Sequence, residues 1–123
     1  MKITRQLDVN TVQKPEGTNV VYYLFPDYEV HYNEQAPYTT QTWHHHEKIW
    51  ETLYIIDGEL TAYWRDQDGE HSNVVRSGDL VETERTPHTF ANENDDIVRF
   101  LVIKRMPGHG DCSDIFKNDK VLD

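Results

Sequence analysis

The sequence predicts an all-β domain, folded as an antiparallel sandwich or barrel. Short runs rich in β-branched and aromatic residues are separated by turns roughly every 8–12 residues. No stretch shows the 3.6-residue apolar period of an amphipathic helix. The chain has 123 residues, which is the length of one domain. These observations favour a single β domain over two domains or a helical bundle.

The predicted strands follow one another in short steps along the chain. Turn residues such as Pro, Gly and Asp separate them. Asp57-Gly58 lies between two β-rich runs, a pattern typical of a type I′ hairpin because both residues tolerate positive φ. Leu60, Ala62 and Trp64 share one face of their strand by alternation. The strands are expected at residues 20–25, 28–32, 38–46, 52–56, 59–64, 70–76, 80–83, 88–92 and 96–104.

Three segments are expected along the chain. Residues 20–105 form the predicted barrel, and Pro107-Gly108 ends its last strand. Residues 1–19 read as an N-terminal arm and residues 106–123 as a charged C-terminal tail. Such arms in small β proteins either fray or pack across a partner subunit.

Composition excludes several classes of function. Twelve Lys and Arg residues against 22 Asp and Glu residues give a net charge of −10, which disfavours nucleic acids and anionic membrane surfaces as partners. No apolar run approaches the ~20 residues of a membrane span, and no signal peptide is seen, so we expect a cytoplasmic protein. The single cysteine, Cys112, has no partner for an internal disulfide and is interpreted as incidental.

The histidines carry the clearest chemical signal. The chain has seven of them, and four fall at two places: His44, His45 and His46 are consecutive, and His88 lies further along the chain. Because alternate side chains of a strand share a face, His44 and His46 point together to one side and His45 points to the other. Glu51 follows five residues after His46, on an otherwise apolar strand face. A buried carboxylate needs a partner, and a metal ion would supply it.

The chemistry of such a donor set is broad. Three imidazoles and one carboxylate suit iron, nickel, manganese, cobalt, copper or zinc, and the order of affinities does not select one of them. Four protein ligands on a six-coordinate ion leave two positions open, which is typical of a reactive site. The sequence has no nucleophile elbow, phosphate-binding glycine loop or nucleotide fingerprint, so hydride and phosphoryl transfer are not supported.

The spacing of these residues resembles the first motif of the cupin family. The matching run is His44-x-His46-(x4)-Glu51-(x6)-Gly58. Tyr38 stands where the family motif begins with a glycine.

A second resemblance follows further along the chain. Gly78-Asp79, and then Pro87-His88-(x3)-Asn92, are similar to the second cupin motif. The chain lacks the Pro-x-Gly segment of that motif and has one residue fewer between Gly78 and His88.

The resemblance implies a fold, a site and two alternative functions. Cupins are small antiparallel β-barrels of the jelly-roll type, so a jelly-roll barrel is expected, with one divalent transition metal inside. The implied ligands are His44, His46, Glu51 and His88. The implied function is a metal-dependent dioxygenase, or an isomerase or lyase that uses the metal as a Lewis acid, and the alternative is a non-catalytic ligand-binding or sensing cupin. The expected partners are a small-molecule ligand or substrate and a second copy of the chain, as a homodimer with an exchanged N- or C-terminal arm.

Overall fold

The computed structural model describes residues 1–106 and 110–123 and shows two facing antiparallel sheets. The predicted break at Pro107 and Gly108 lies outside the described residues. Among the described residues, no helix is long and apolar enough to cross a membrane. The elements are a 3₁₀ turn (Gln6–Asp8), β1 (Thr11–Gln13), β2 (Thr18–Leu24), β3 (Tyr28–Gln35), β4 (Thr39–Thr40), β5 (His44–His46), β6 (Trp50–Asp57), β7 (Glu59–Asp66), β8 (Gly69–Arg76), β9 (Leu80–Glu82), β10 (His88–Asn92), β11 (Val98–Arg105), α1 (Ser113–Asn118) and β12 (Lys120–Leu122).

The strand order places the sheets as the two walls of a jelly-roll barrel. The first sheet has the order β1-β2-β3-β11-β6-β9. The second has the order β12-β5-β10-β7-β8, and β4 also pairs with β10. All of these pairs are antiparallel. The predicted all-β antiparallel fold is therefore confirmed.

The core lies between the sheets. Its members come from β6 and β11 on one wall and from β7 and β10 on the other. Leu60 and Ala62 are buried, so the face of β7 that they define is the inner one. The core cluster contains Leu53, Ile55, Leu60, Ala62, Phe90, Val98, Phe100 and Val102.

The turn at Asp57-Gly58 is not the predicted hairpin. β6 pairs within the first sheet and β7 within the second, so the chain crosses from one wall to the other at this point. Gly58 has a φ of 93°, but Asp57 is not among the residues with positive φ, as a type I′ turn would require. The crossing lets Ile55 and Leu60 enter the core from opposite walls, which a hairpin in one sheet would not allow.

The predicted strand at residues 38–46 is divided into β4 and β5. Both pieces pair with β10, Thr40 opposite Ala91 and His44 opposite His88. From Thr40 to His44 the chain advances by four residues, whereas from Ala91 to His88 β10 advances by three. The extra residue interrupts the ladder, as in a β-bulge, and ends β4 before β5 begins.

The C-terminal tail holds elements that the sequence analysis did not predict. Helix α1 buries Phe116, which packs with Cys112, Ile49 and Met106 in a second apolar cluster. Cys112 is thus a small core residue rather than an exposed thiol. After the helix, β12 pairs with β5 of the same chain, the strand that carries the three consecutive histidines.

Candidate metal centre

Strand β5 directs two of its histidines inward, as predicted. His44 and His46 are 5% and 1% exposed, whereas the His45 side chain is partly exposed and contacts the Asp123 carboxylate at 2.8 Å. His88 on β10 pairs directly with His44, and their ring centroids are 4.5 Å apart. Alternation along β5 and the pairing of β5 with β10 therefore bring the imidazoles of His44, His46 and His88 together.

Glu51, at the start of β6, completes the group from the opposite wall. Its carboxylate oxygens lie 3.2 Å from His46 Nε2 and 3.2 Å from His88 Nε2, and 4.0 Å from Lys104 Nζ. Burial alone would raise the pKa of the Glu51 carboxyl. The contacts with His46 and His88 and the charge of Lys104 outweigh burial and hold that pKa well below its usual value. Glu51 is therefore an anion inside the barrel.

Backbone carbonyls orient two of the rings. His44 Nδ1 is 2.8 Å from the Thr42 carbonyl, and His88 Nδ1 is 2.6 Å from the Thr86 carbonyl. A carbonyl only accepts, so both Nδ1 atoms carry a proton, and in the neutral form of each ring Nε2 presents a lone pair to the centre. Burial lowers the pKa of His44 to about 4, so this ring is neutral near pH 7. Neutral imidazoles with a fixed tautomer are what a metal ion requires.

The contact between His88 and Glu51 tests whether an ion fits. With Nδ1 donating to Thr86, neutral His88 has only a lone pair at Nε2, and this faces a carboxylate at 3.2 Å. Two acceptors at this distance need a cation between them or beside them, either a second proton on the ring or a metal ion. Neighbouring donors of a six-coordinate ion with bonds of about 2.1 Å are about 3 Å apart. The spacing of these groups therefore fits a metal ion.

Three of the predicted ligands form a compact cluster of donor atoms. One ligand atom from each of His44, His46 and Glu51 lies within 4.8 Å of the others, and all three residues are buried. His88 lies outside that mutual distance but contacts Glu51 and stacks edge-on against His44. The structure thus shows a candidate His-His-Glu metal site, and His88 as its fourth ligand stays a prediction.

Asp119 is a residue of the centre that the sequence analysis missed. It follows α1, is buried, and accepts hydrogen bonds from the backbone N–H groups of Lys48 and Ile49. Its Oδ2 lies 3.8 Å from His46 Nδ1, a buried nitrogen without a hydrogen-bond partner. Spacing around the histidines carries no signal for it, because Asp119 is 73 positions beyond His46 in the tail.

A cavity of about 340 Å³ opens beside His88. Its walls combine apolar and polar side chains, and Glu82 and Glu84 are the charged residues among those that line it. The lining contains neither Lys nor Arg among the described residues. The apolar part of the wall is formed by Ala62, Trp64, Val75, Leu80, Val81 and Phe90.

The departures from the family motifs coincide with unusual backbone. Tyr38 has a φ of 54°, and Glu84 and Arg85, in the shortened second motif, have φ values of 53° and 60°. Non-glycine residues rarely adopt this left-handed region. The same loop is tied to the centre, because the backbone N–H and the hydroxyl of Thr83 both donate to the Glu51 carbonyl. The shortened motif thus still holds its loop against Glu51.

Comparisons with solved structures agree with this fold. Among solved structures, the polyketide cyclase RemF from Streptomyces resistomycificus has 21% identity and a TM-score of 0.70, over 85% of this chain and 79% of that one. A sugar phosphate isomerase of the cupin superfamily from Silicibacter pomeroyi has 18% identity and a TM-score of 0.65, over 85% and 75%. A variant of oxalate decarboxylase from Bacillus subtilis has 18% identity and a TM-score of 0.71, over 82% of this chain but only 28% of that one.

Sequence comparison gives the family. No curated protein matches the chain. The sequence model of the Cupin domain family matches residues 28–104, which is more than half of the chain and includes all four predicted ligands. The chain belongs to the cupin family.

Proposed function

We propose that this cupin is a metal-dependent enzyme of small-molecule metabolism, with one divalent transition metal held by His44, His46, Glu51 and His88. The observation that carries the proposal is the contact of a buried carboxylate with the Nε2 atoms of His46 and His88, in rings that the fold orients inward. A buried anion among imidazole rings is stabilised by a cation.

The surroundings of the centre support a reactive site. When bound, the ion would supply Lewis-acid or dioxygen chemistry at the coordination positions that the protein leaves open. Glu51 remains ionised and the imidazole of His44 remains neutral, so neither needs to lose a proton on metal binding near pH 7. The apolar part of the wall of the neighbouring cavity lowers the local dielectric constant and so strengthens electrostatic interactions near it.

The cavity beside His88 is the proposed substrate pocket. Its volume of about 340 Å³ suits a small molecule, and its lining has carboxylates but no basic residue. We therefore expect a substrate whose bound part is neutral and partly apolar. Solved cupins of similar fold include a polyketide cyclase, a sugar phosphate isomerase and an oxalate decarboxylase. Their chemistries differ, so the pocket rather than the fold has to identify the substrate.

Elemental analysis of untagged protein, purified without a nickel column or chelator, tests the proposal. We expect about one transition-metal ion per chain. His46→Gln should lose the metal, whereas His45→Gln should retain it, because His45 faces outward on the same strand. An empty site that refuses added metal, or equal metal loss in both variants, would contradict the proposed ligands.

Oxygen uptake separates the alternative chemistries. Substrate-dependent uptake with an iron-loaded protein supports a dioxygenase, whereas turnover without uptake supports an isomerase or lyase. A metal-loaded protein that binds small molecules without converting any would favour a ligand-binding cupin.

We also propose a homodimer. The N-terminal arm supports it, because Ile3, Leu7 and Val12 are exposed apolar residues close together in the chain. Light scattering after size-exclusion chromatography would show twice the chain mass, and deletion of residues 1–9 should then shift the protein toward the monomer. A monomer for the full chain would exclude the dimer.

A further inference from the structure

A second cavity, of about 80 Å³, lies where the N-terminal strands meet β12. Its lining includes Lys14 from the turn after β1, Thr18 at the start of β2, Asn33 from β3 and Lys120 from β12. Lys120 pairs with His46 in the β12–β5 register, so the cavity adjoins the metal centre. None of the four proposed metal ligands lines it.

Two buried polar side chains of this cavity have no partner. Thr18 is 2% exposed and Asn33 is 7% exposed, and neither Thr18 Oγ1 nor Asn33 Oδ1 has a hydrogen-bond partner in the structure. A buried polar group left without a hydrogen bond is destabilising, and native proteins rarely leave two of them together. Both side chains line the same small cavity, so one bound group there would satisfy them both.

The charge of the cavity selects the kind of group. Three of the six lysines in a chain of net charge −10 gather here. Lys14 and Lys120 line the cavity, and Lys104 is close enough that the three ammonium groups repel one another. Burial and this repulsion lower the pKa of Lys120, and burial is the main cause of the lowered pKa of Lys14. Glu16, which also lines the cavity, and Glu51 of the metal centre act on both lysines and offset part of the positive charge. The remaining excess of ammonium groups favours an anion.

We propose that this cavity binds one small oxyanion, a phosphate or carboxylate group, between Lys14 and Lys120. The lysines supply charge-assisted hydrogen bonds. The Thr18 hydroxyl donates a third, and the Asn33 amide donates from its NH₂ end, which exchanges places with the oxygen by rotation of the side chain. The proposal does not depend on the metal or on catalysis at the neighbouring centre.

The volume limits the ligand to a single such group. A cavity of about 80 Å³ holds a free anion or the anionic end of a larger molecule that extends through the opening. Inorganic phosphate and glycerol 3-phosphate distinguish these two sources. Equal or tighter binding of inorganic phosphate indicates a free ion, whereas tighter binding of the ester indicates the end of an organic molecule.

Calorimetric titration of the metal-loaded full chain with inorganic phosphate tests the proposal. We expect saturable binding, weakened about tenfold or more by Lys14→Gln or Lys120→Gln, since each removes a charge-assisted hydrogen bond. Lys117→Gln, an exposed lysine of α1, is the matched control and should bind phosphate as the natural chain does. Thr18→Val should weaken phosphate binding severalfold without lowering thermal stability, because the hydroxyl it removes has no partner.

Three results would overturn the proposal. The first is the absence of saturable phosphate binding at millimolar concentration. The second is an equal loss of affinity in Lys117→Gln, which would show a general effect of charge. The third is binding that survives in Lys14→Gln and Lys120→Gln but disappears in His46→Gln, which would place the phosphate on the metal.

Discussion

The three inward-facing histidines are held in two different ways. His44 and His88 each donate from Nδ1 to a backbone carbonyl two residues earlier in the chain, so local structure alone orients them. His46 Nδ1 has no hydrogen-bond partner, and the Asp119 carboxylate lies 3.8 Å from it. A carboxylate behind a metal-bound imidazole fixes its orientation and raises its basicity. Closing this contact on metal binding would make Asp119 a positioning residue for His46.

Asp119→Asn is therefore expected to weaken metal binding about 10- to 100-fold. The neutral amide retains an acceptor for the Lys48 and Ile49 N–H groups but loses the charge that faces His46. Competition with a chelator of known affinity measures the change. Asp123→Asn is the control, because Asp123 contacts the outward-facing His45. Equal affinities in the two variants would remove Asp119 from the centre.

At the scale of elements, the crossing from β6 to β7 depends on one glycine. Gly58 has a φ of 93°, and a Cβ there would lie 3.1 Å from Val98 Cγ2 and 3.2 Å from Val98 Cα. Gly78 has nearly the same φ, 90°, but a Cβ there would meet nothing within 4 Å. The two glycines therefore separate backbone strain from close packing.

Gly78→Ala should cost about 1–2 kcal/mol of unfolding free energy, from backbone strain alone. Gly58→Ala should cost a further ~1–3 kcal/mol, because the backbone of Val98 has to move. Urea denaturation of the two variants measures the difference. Equal losses would show that strain alone explains the glycine at the crossing.

Strand positions were predictable from sequence, but several pairings were not. Residues 88–92 and 59–64 have a composition that indicates strands, and β10 and β7 lie there. The Asp57-Gly58 dipeptide is compatible with a hairpin and with a crossing between sheets. Glycine favours positive φ in both cases, so the dipeptide does not show whether the two flanking strands pair with each other. Pairing is decided by burial of Ile55 and Leu60 in a core that exists only after both sheets meet.

At the scale of the whole molecule, the centre was predictable where its residues follow strand parity. The inward positions of His44 and His46 come from alternation, and Glu51 stood out as a carboxylate on an otherwise apolar strand face. Likeness to the cupin motifs assigned His88 as the fourth ligand. Asp119 and Lys104 were not predictable in this way. They reach the centre through pairing of β12 with β5 and of β11 with β6, and neither pairing has a signal near the motif.

The buried histidine also makes the stability of the metal-free protein depend on pH. Burial lowers the pKa of His44 to about 4 in the folded state, while the unfolded chain has the ordinary value of 6.5. Between these values the unfolded state binds a proton that the folded state does not, so stability falls as the pH falls. Glu51, with its folded pKa far below the ordinary value, adds a further loss below about pH 4.5. Acid also reduces the net charge of −10, which acts in the opposite direction by relieving repulsion.

The proton linkage of His44 should outweigh that relief. A pKa lowered from 6.5 to about 4 corresponds to about 2–3 kcal/mol lost between about pH 7.5 and pH 4.5. Urea denaturation of the chelator-treated protein at these two pH values measures the loss. The His44→Gln variant should lose less unfolding free energy over the same range, because glutamine does not bind a proton. An equal loss in both proteins would mean that His44 is not held neutral in the folded chain, and the acid sensitivity would then belong to the other titrating groups.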